Sequence, residues 1–177
     1  LLEAWEEFVR GKRARVDVLA FECDLMSNLF NLHDELASHT YSHAPYQAFT
    51  ISDPKTRRIH KASVRDRVLH QAVFRVLSPI FDKHFIFDSF SSRVGGGTHF
   101  GVKRLQNACR KVSRNWRTPA FALKCDVRKF FDSIDHEILR GLIARKVFDA
   151  DILRLLDRTP CQGVALTGWG SPLTIGD

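Results

Sequence analysis

The sequence predicts an α+β chain, and three observations carry that reading. Apolar residues recur at helical spacing in four stretches, near 19–36, 64–77, 102–112 and 138–147. Two other stretches, 46–59 and 121–127, carry strand-type patterning. With 177 residues, 44% hydrophobic and 27% charged, the chain is long enough for one compact domain or two small lobes, which excludes collagen-like, mucin-like and wholly disordered classes.

Residues 1–38 read as a helical extension. One helix falls around Ala4–Arg10, Gly11 breaks it, and a longer one carries Leu19, Leu25, Met26, Leu29, Leu32 and Leu36. Lys12, Arg13 and Arg15 between them are either a solvated linker or a contact to phosphates. Tyr46, Phe49 and Ile51 mark a strand, Asp53-Pro54-Lys55 a turn and Arg58-Ile59 a second strand, which together predict a β-hairpin with a basic tip. Ser63 is suited to cap a helix striped with Val64, Val68, Leu69, Ala72, Val73, Val76 and Leu77, and Pro79 is expected to end or kink it.

The glycine-rich loop Arg93–Thr98 follows, with Thr98 expected to cap a helix carrying Val102, Leu105, Cys109 and Val112. Asn115–Pro119 reads as a turn. Phe121, Leu123, Cys125 and Val127 alternate with Ala122, Lys124 and Asp126, the period of a half-buried strand, so Asp126 is expected at a strand end facing away from the Phe121 side. An amphipathic helix opens near Ser133 or Asp135, and a short one follows over Ile152–Leu156.

Lys plus Arg number 27 against 20 Asp plus Glu, a net charge of +7 that favours a polyanionic partner, nucleic acid before a membrane surface. No stretch approaches the roughly 20 apolar residues of a spanning helix, and no secretory signal opens the sequence, so a soluble cytoplasmic protein is expected. Cys23, Cys109, Cys125 and Cys161 contain no C-x-x-C pair and read as small core residues of a reducing compartment. The start at Leu1 and the end after a Gly/Pro-rich segment read as a piece of something longer.

The strongest chemical constellation runs from Leu123 to His136. A carboxylate at a strand end beside a backbone carbonyl offers the few protein oxygens a hard divalent cation accepts, which singles out Asp126; a capping or turn role is the competing reading. Asp132 and Asp135 flank a helix start, where their charge suits the dipole. Phe131, with Phe130, is either core packing or a wall that excludes a 2′-hydroxyl beneath a nucleotide sugar. Lys55, Arg57 and Arg58 crowd a hairpin stiffened by Pro54, either a solvated tip or a site for triphosphate oxygens. In Arg65-Asp66-Arg67 the aspartate is expected to pair locally, while the arginines reach phosphates or cover the surface.

Four ordered blocks then carry a resemblance: F-x-I-x-D-P-K-x-R-R-I from Phe49, V-R-D-R-V-x-H-Q-A from Val64, D-S-F-S-S-R-x-G-x-G-T-H from Asp88 and L-K-C-D-V-R-K-F-F-x-S-I-D-H-x-I-L from Leu123. Together they resemble the fingers and upper palm of a bacterial reverse transcriptase of the group II intron-like kind, and within it the diversity-generating retroelement type. The resemblance implies a right-hand polymerase: a helical extension over 1–38, fingers over 39–118 and a partial palm over 119–177.

The resemblance implies roles as well. Asp126 matches the first catalytic aspartate and a magnesium ligand, with the Val127 carbonyl as a second contact. Phe131 matches the sugar gate, Lys55 the lysine on the incoming triphosphate, and Arg57 or Arg58 the accompanying arginine. Arg93 with the glycine loop matches the block supporting template and nucleotide. Asp66, Arg67 and Gln71 match a structural block outside the catalytic set. The implied partners are an RNA template, a DNA or RNA primer and dNTPs, with no membrane and an accessory protein unspecified.

No Tyr/Phe-x-Asp-Asp occurs, so the other two metal carboxylates of that family's palm have no match, and Thr167–Leu173 resembles only the start of the next block before the pattern departs at Thr174. The expected function is therefore an RNA-directed DNA polymerase in the intact parent, Mg²⁺-dependent, with this piece inactive by itself. The alternative is a non-catalytic RNA-binding module in which Asp126 is idle.

Overall fold

The computed structural model describes residues 1–52, 56–91, 93, 95–128, 130 and 133–159, with Arg57 described in its backbone only. Helix α1 spans Leu2–Phe8, α2 Val16–Glu22 and α3 Leu25–Ala37. Strands β1 (Gln47–Ser52) and β2 (Thr56–Lys61) follow, then α4 (Val64–Asp82), α5 (Thr98–Val112), α6 (His136–Ala144) and α7 (Ala150–Arg158). Contacts divide the chain into two units, Leu1–Pro79 with Phe131–Asp177, and Ile80–Phe130.

The first unit holds the buried core. Trp5, Phe8 and Val9 from the α1 region, Val18 from α2, Leu29 from α3, and Val64 and Val68 from α4 form one cluster; Leu32, Tyr41 and Leu69 form a second. Gly11, at φ +68°, turns the chain between α1 and α2, a conformation that a Cβ would penalise. Ion pairs rivet the helices together at their edges. Arg67 and Lys61 both engage Asp17, Arg75 engages Glu3 and Glu7, and Arg65 forks onto Glu35 at 2.8 and 2.9 Å.

The antiparallel hairpin runs in register from Gln47 opposite Lys61 to Ser52 opposite Thr56. Every residue of β1 is exposed, so the hairpin projects from the core of its own unit, and its ladder is two strands wide. Such a ribbon is marginal alone; here Lys61 ties its base to Asp17 at 2.8 Å.

The second unit is organised by Arg93. Its guanidinium donates to the Asp82 carboxylate at 2.6 and 3.2 Å and to the carbonyls of Ile86 and Ser89 at 3.0 and 3.3 Å. Gly97 N–H then donates to Phe90 O at 2.8 Å, and Phe90 meets Phe100 edge-on at 5.6 Å. At Gly101 a Cβ would lie 3.2 Å from the Phe90 ring, so a glycine is what lets α5 approach that ring. Lysine at position 93 cannot reproduce the planar fork. Arg93→Lys is therefore expected to raise amide exchange across residues 82–101 about tenfold or more while leaving the first unit's core protected, measured by hydrogen–deuterium exchange.

Several sequence expectations change. Of the two outcomes expected at Pro79, ending is not the one found: α4 runs on to Asp82 with Pro79 inside it. The expected long N-terminal helix is two helices, parted at Cys23–Asp24. Gly97, not Thr98, occupies the cap position of α5, and Thr98 is already helical. Residues 121–127 are not a strand: no partner ladder meets them among the described residues, and a strand exists only through its pairing. The alternation is present, but Phe121 and Leu123 are 96% and 90% exposed. The C-terminal helix is longer than expected, Ala150–Arg158, because Asp149 caps it at the Asp151 and Ile152 N–H groups.

Among the described residues no helix is long and apolar enough to cross a membrane.

Candidate functional site

Asp126 lies in the second unit on the extended segment after α5, its side chain exposed and joined to no other group by hydrogen bond or ion pair among the described residues. Val127 beside it is 63% exposed. Magnesium takes oxygen ligands in octahedral geometry, often one or two carboxylates with waters completing the shell. Asp126 with the Val127 carbonyl fits one corner of such a shell. It fits no more than that, because no three His, Cys, Asp or Glu side chains converge as a metal-holding group among the described residues.

The hairpin residues lie in the first unit. Arg58 is exposed and sits opposite Thr50, while position 57 pairs with Ile51. Successive strand residues face opposite sides, so Arg58 shares a face with Thr56 and His60. Lys55 and Phe131 lie outside the described residues, as do Asp132 and Cys161. Arg93 spends its donors inside its own unit, on Asp82 and two carbonyls, as described above.

Arg65 and Arg67 are held by Glu35 and Asp17, and Gln71 Nε2 donates to Glu7 at 2.9 Å, which places all three among the groups that join helices. Burial pushes the Asp17 carboxyl up, but Lys61 and Arg67 outweigh it and hold the group below its usual range.

A buried polar cluster at the start of α4 was not legible beforehand. Asp66 is fully buried. Its carboxylate accepts from the Tyr41 hydroxyl at 2.9 Å, the Ala44 N–H at 3.2 Å and the Ser63 hydroxyl at 2.6 Å, while its own N–H donates back to Ser63 Oγ at 3.1 Å. Burial and the adjacent carboxylate push the Tyr41 hydroxyl far above the usual phenol range. His43 lies 3.9 Å from the carboxylate and stacks on His70 with ring centroids 5.4 Å apart. The Nε2 atoms of both imidazoles are buried without a hydrogen-bond partner among the described residues. Burial, then the neighbouring His43, pushes His70 down to about 4.

Ser63 Oγ accepts from the Asp66 N–H as a helix N-cap does and also donates to the Asp66 carboxylate, and the serine three residues ahead of the aspartate was visible in the sequence. The other two donors, Tyr41 and Ala44, arrive from 22 to 25 residues away and left no local signal.

No family model matches the chain. It is 26% identical over 133 residues to Protein YkfC of Escherichia coli strain K12, a match covering 72% of this chain and 34% of that protein. It is 26% identical over 110 residues to Nuclear intron maturase 1, mitochondrial, of Arabidopsis thaliana, covering 60% of this chain and 14% of that one. Nuclear intron maturase 3, mitochondrial, of the same plant is 28% identical over 92 residues, covering 52% and 12%. The chain thus spans about a third of the bacterial relative and about an eighth of the maturases in length. It is distantly similar to intron maturases over half to three fifths of its residues.

Proposed function

We propose that this chain is the RNA- and nucleotide-binding part of a reverse transcriptase-related protein, with fingers and palm regions of the right-hand polymerase kind. The observation that carries the reading is the similarity to intron maturases in a chain that also holds the four motif blocks in order. An exposed Asp126, without a hydrogen-bond or ion-pair partner among the described residues, and an exposed Arg58 on a projecting hairpin are consistent with it. In this reading Lys55 and either Arg57 or Arg58 meet the incoming triphosphate, Arg93 with its glycine loop supports template and nucleotide, and Phe131 acts as the gate against a 2′-hydroxyl. Asp126 and the Val127 carbonyl supply one corner of a magnesium site completed from outside the described residues. Magnesium, when bound there, supplies charge neutralisation for phosphoryl oxygens.

A second reading, a non-catalytic RNA-binding module, is favoured by the lack of any group of three His, Cys, Asp or Glu side chains that could hold a metal among the described residues. One substitution separates the two. Retention of labelled dTTP on an RNA-template/DNA-primer complex, measured with Mg²⁺, is expected to fall at least tenfold in Asp126→Ala while RNA affinity stays within about twofold. If Asp126→Ala alters neither quantity and the chain binds RNA, the module reading replaces the polymerase-related one.

A further inference from the structure

The net charge of the chain is not spread over it. Residues 98–128 contain eight of the 27 Lys and Arg and a single one of the 20 carboxylates, Asp126, so the remainder balances at 19 against 19 and this segment holds the whole excess of +7. The segment lies within the second unit. Of its eight cations only Arg104 is neutralised by an ion pair among the described residues, with Asp88 at 2.8 Å.

Helical geometry then sorts the charges. At about 100° per residue, Lys103, Arg110 and Lys111 fall on one side of α5, and Val102, Leu105 and Val112 on the opposite side. Lys103 and Arg110 are two turns apart, about 10 Å along the axis. Past the helix end Arg114, Asn115 and Trp116 are three consecutive non-glycine residues at φ +47°, +61° and +66°. Buried Ser113 pins this left-handed turn: its Oγ accepts from the Trp116 N–H at 2.8 Å, and its carbonyl accepts from the Arg117 and Thr118 N–H groups at 2.8 and 3.0 Å. A sparsely populated backbone held this firmly needs a reason. Its product is an indole 59% exposed, with Arg114 and Arg117 on either side in the chain.

We infer that the cationic side of α5 and the Trp116 turn form a docking surface for single-stranded RNA, with phosphates along Arg110, Lys111, Arg114 and Arg117 and a base stacked on the indole. The inference rests on the nucleic-acid reading above and adds the surface and the strand type. A single strand is the partner that uses both features at once, since it presents phosphates and unpaired ring faces together, whereas a duplex hides its rings. An anionic membrane would take up the apolar side of α5, and the cations point away from that side.

The test is fluorescence anisotropy of the 177-residue chain with a labelled twelve-nucleotide uridine oligomer. Trp116→Ala is expected to weaken binding about tenfold, and Trp116→Phe, which keeps a ring, by no more than about threefold. Replacing Arg110, Lys111, Arg114 and Arg117 together by Ala is expected to lower the slope of log affinity against log salt by about three. These side chains are exposed, and unchanged circular dichroism verifies that each variant is folded. If the chain binds the oligomer and both the Trp116→Ala and the fourfold variant match it within twofold, the inference is overturned while the nucleic-acid reading stands. If the chain binds no RNA at all, both fall. Capture by phosphatidylserine-containing vesicles with the same Trp116 dependence, and none by the oligomer, also overturns it in favour of a membrane contact.

Discussion

Asp66→Ala is expected to cost about 4 kcal/mol of folding stability, the largest effect of any single substitution outside the apolar core. The substitution removes a fully buried carboxylate and strands three donors, the Tyr41 hydroxyl, the Ala44 N–H and the Ser63 hydroxyl. Each buried donor left without an acceptor costs about 1–3 kcal/mol, partly relieved where a hydroxyl can rotate to another acceptor. For a chain of this size that corresponds to a fall in Tm of about 10 °C, measured by thermal unfolding. Asp126→Ala is the natural contrast. Its carboxylate is exposed and without partners among the described residues, so the change in stability is expected to stay within about 0.5 kcal/mol. Two aspartates in one chain are thereby separated by a single measurement into one that holds the fold and one that is free to act.

Acid is expected to unfold the first unit through His70. Its folded-state value is pushed down to about 4 from an ordinary 6.5, chiefly by burial and next by His43 stacked on it, with Asp66 opposing and Arg67 reinforcing. The unfolded chain therefore takes up a proton below pH 6.5 that the folded chain refuses until about pH 4. Stability that depends on neutral His70 is fully present above pH 6.5 and is lost as the pH falls through this window, by about 3 kcal/mol at its lower end. The buried Nε2 atom has no acceptor waiting among the described residues, so the imidazolium gains nothing in place of water. Denaturant titrations at pH 7, 5.5 and 4.5 are expected to show this loss, and His70→Gln to flatten it. An equal pH dependence in His70→Gln would assign the acid sensitivity to other groups.

What the sequence made legible was what local chemistry decides. The hairpin strands followed from Phe49, Ile51 and Ile59, the turn expected at Asp53–Lys55 lying outside the described residues, and α4 from the stripe beginning at Val64 behind a Ser63 cap. Two of the failures share a cause, dependence on partners elsewhere in the chain. Alternation at 121–127 states only that a strand is affordable; pairing needs a neighbour, and none is among the described residues. Arg65 and Arg67 looked available to phosphates because Glu35 and Asp17, 30 and 50 residues away, are invisible to a local reading. The excess charge of residues 98–128 stands in the sequence itself; what is not legible there is the left-handed turn at Arg114, Asn115 and Trp116 that follows α5.

Of the candidate site, Asp126 was singled out by a strand-end geometry that the structure does not have: residues 121–127 pair with no strand among the described residues, and the carboxylate is exposed. A titration of the chain with Mn²⁺, followed by paramagnetic broadening of backbone amide resonances, examines that carboxylate without assuming any activity. The Asp126 and Val127 amides are expected to broaden before all others, and Asp126→Asn to abolish the effect. Broadening that begins elsewhere, or that is the same in Asp126→Asn, would contradict Asp126 as a metal ligand.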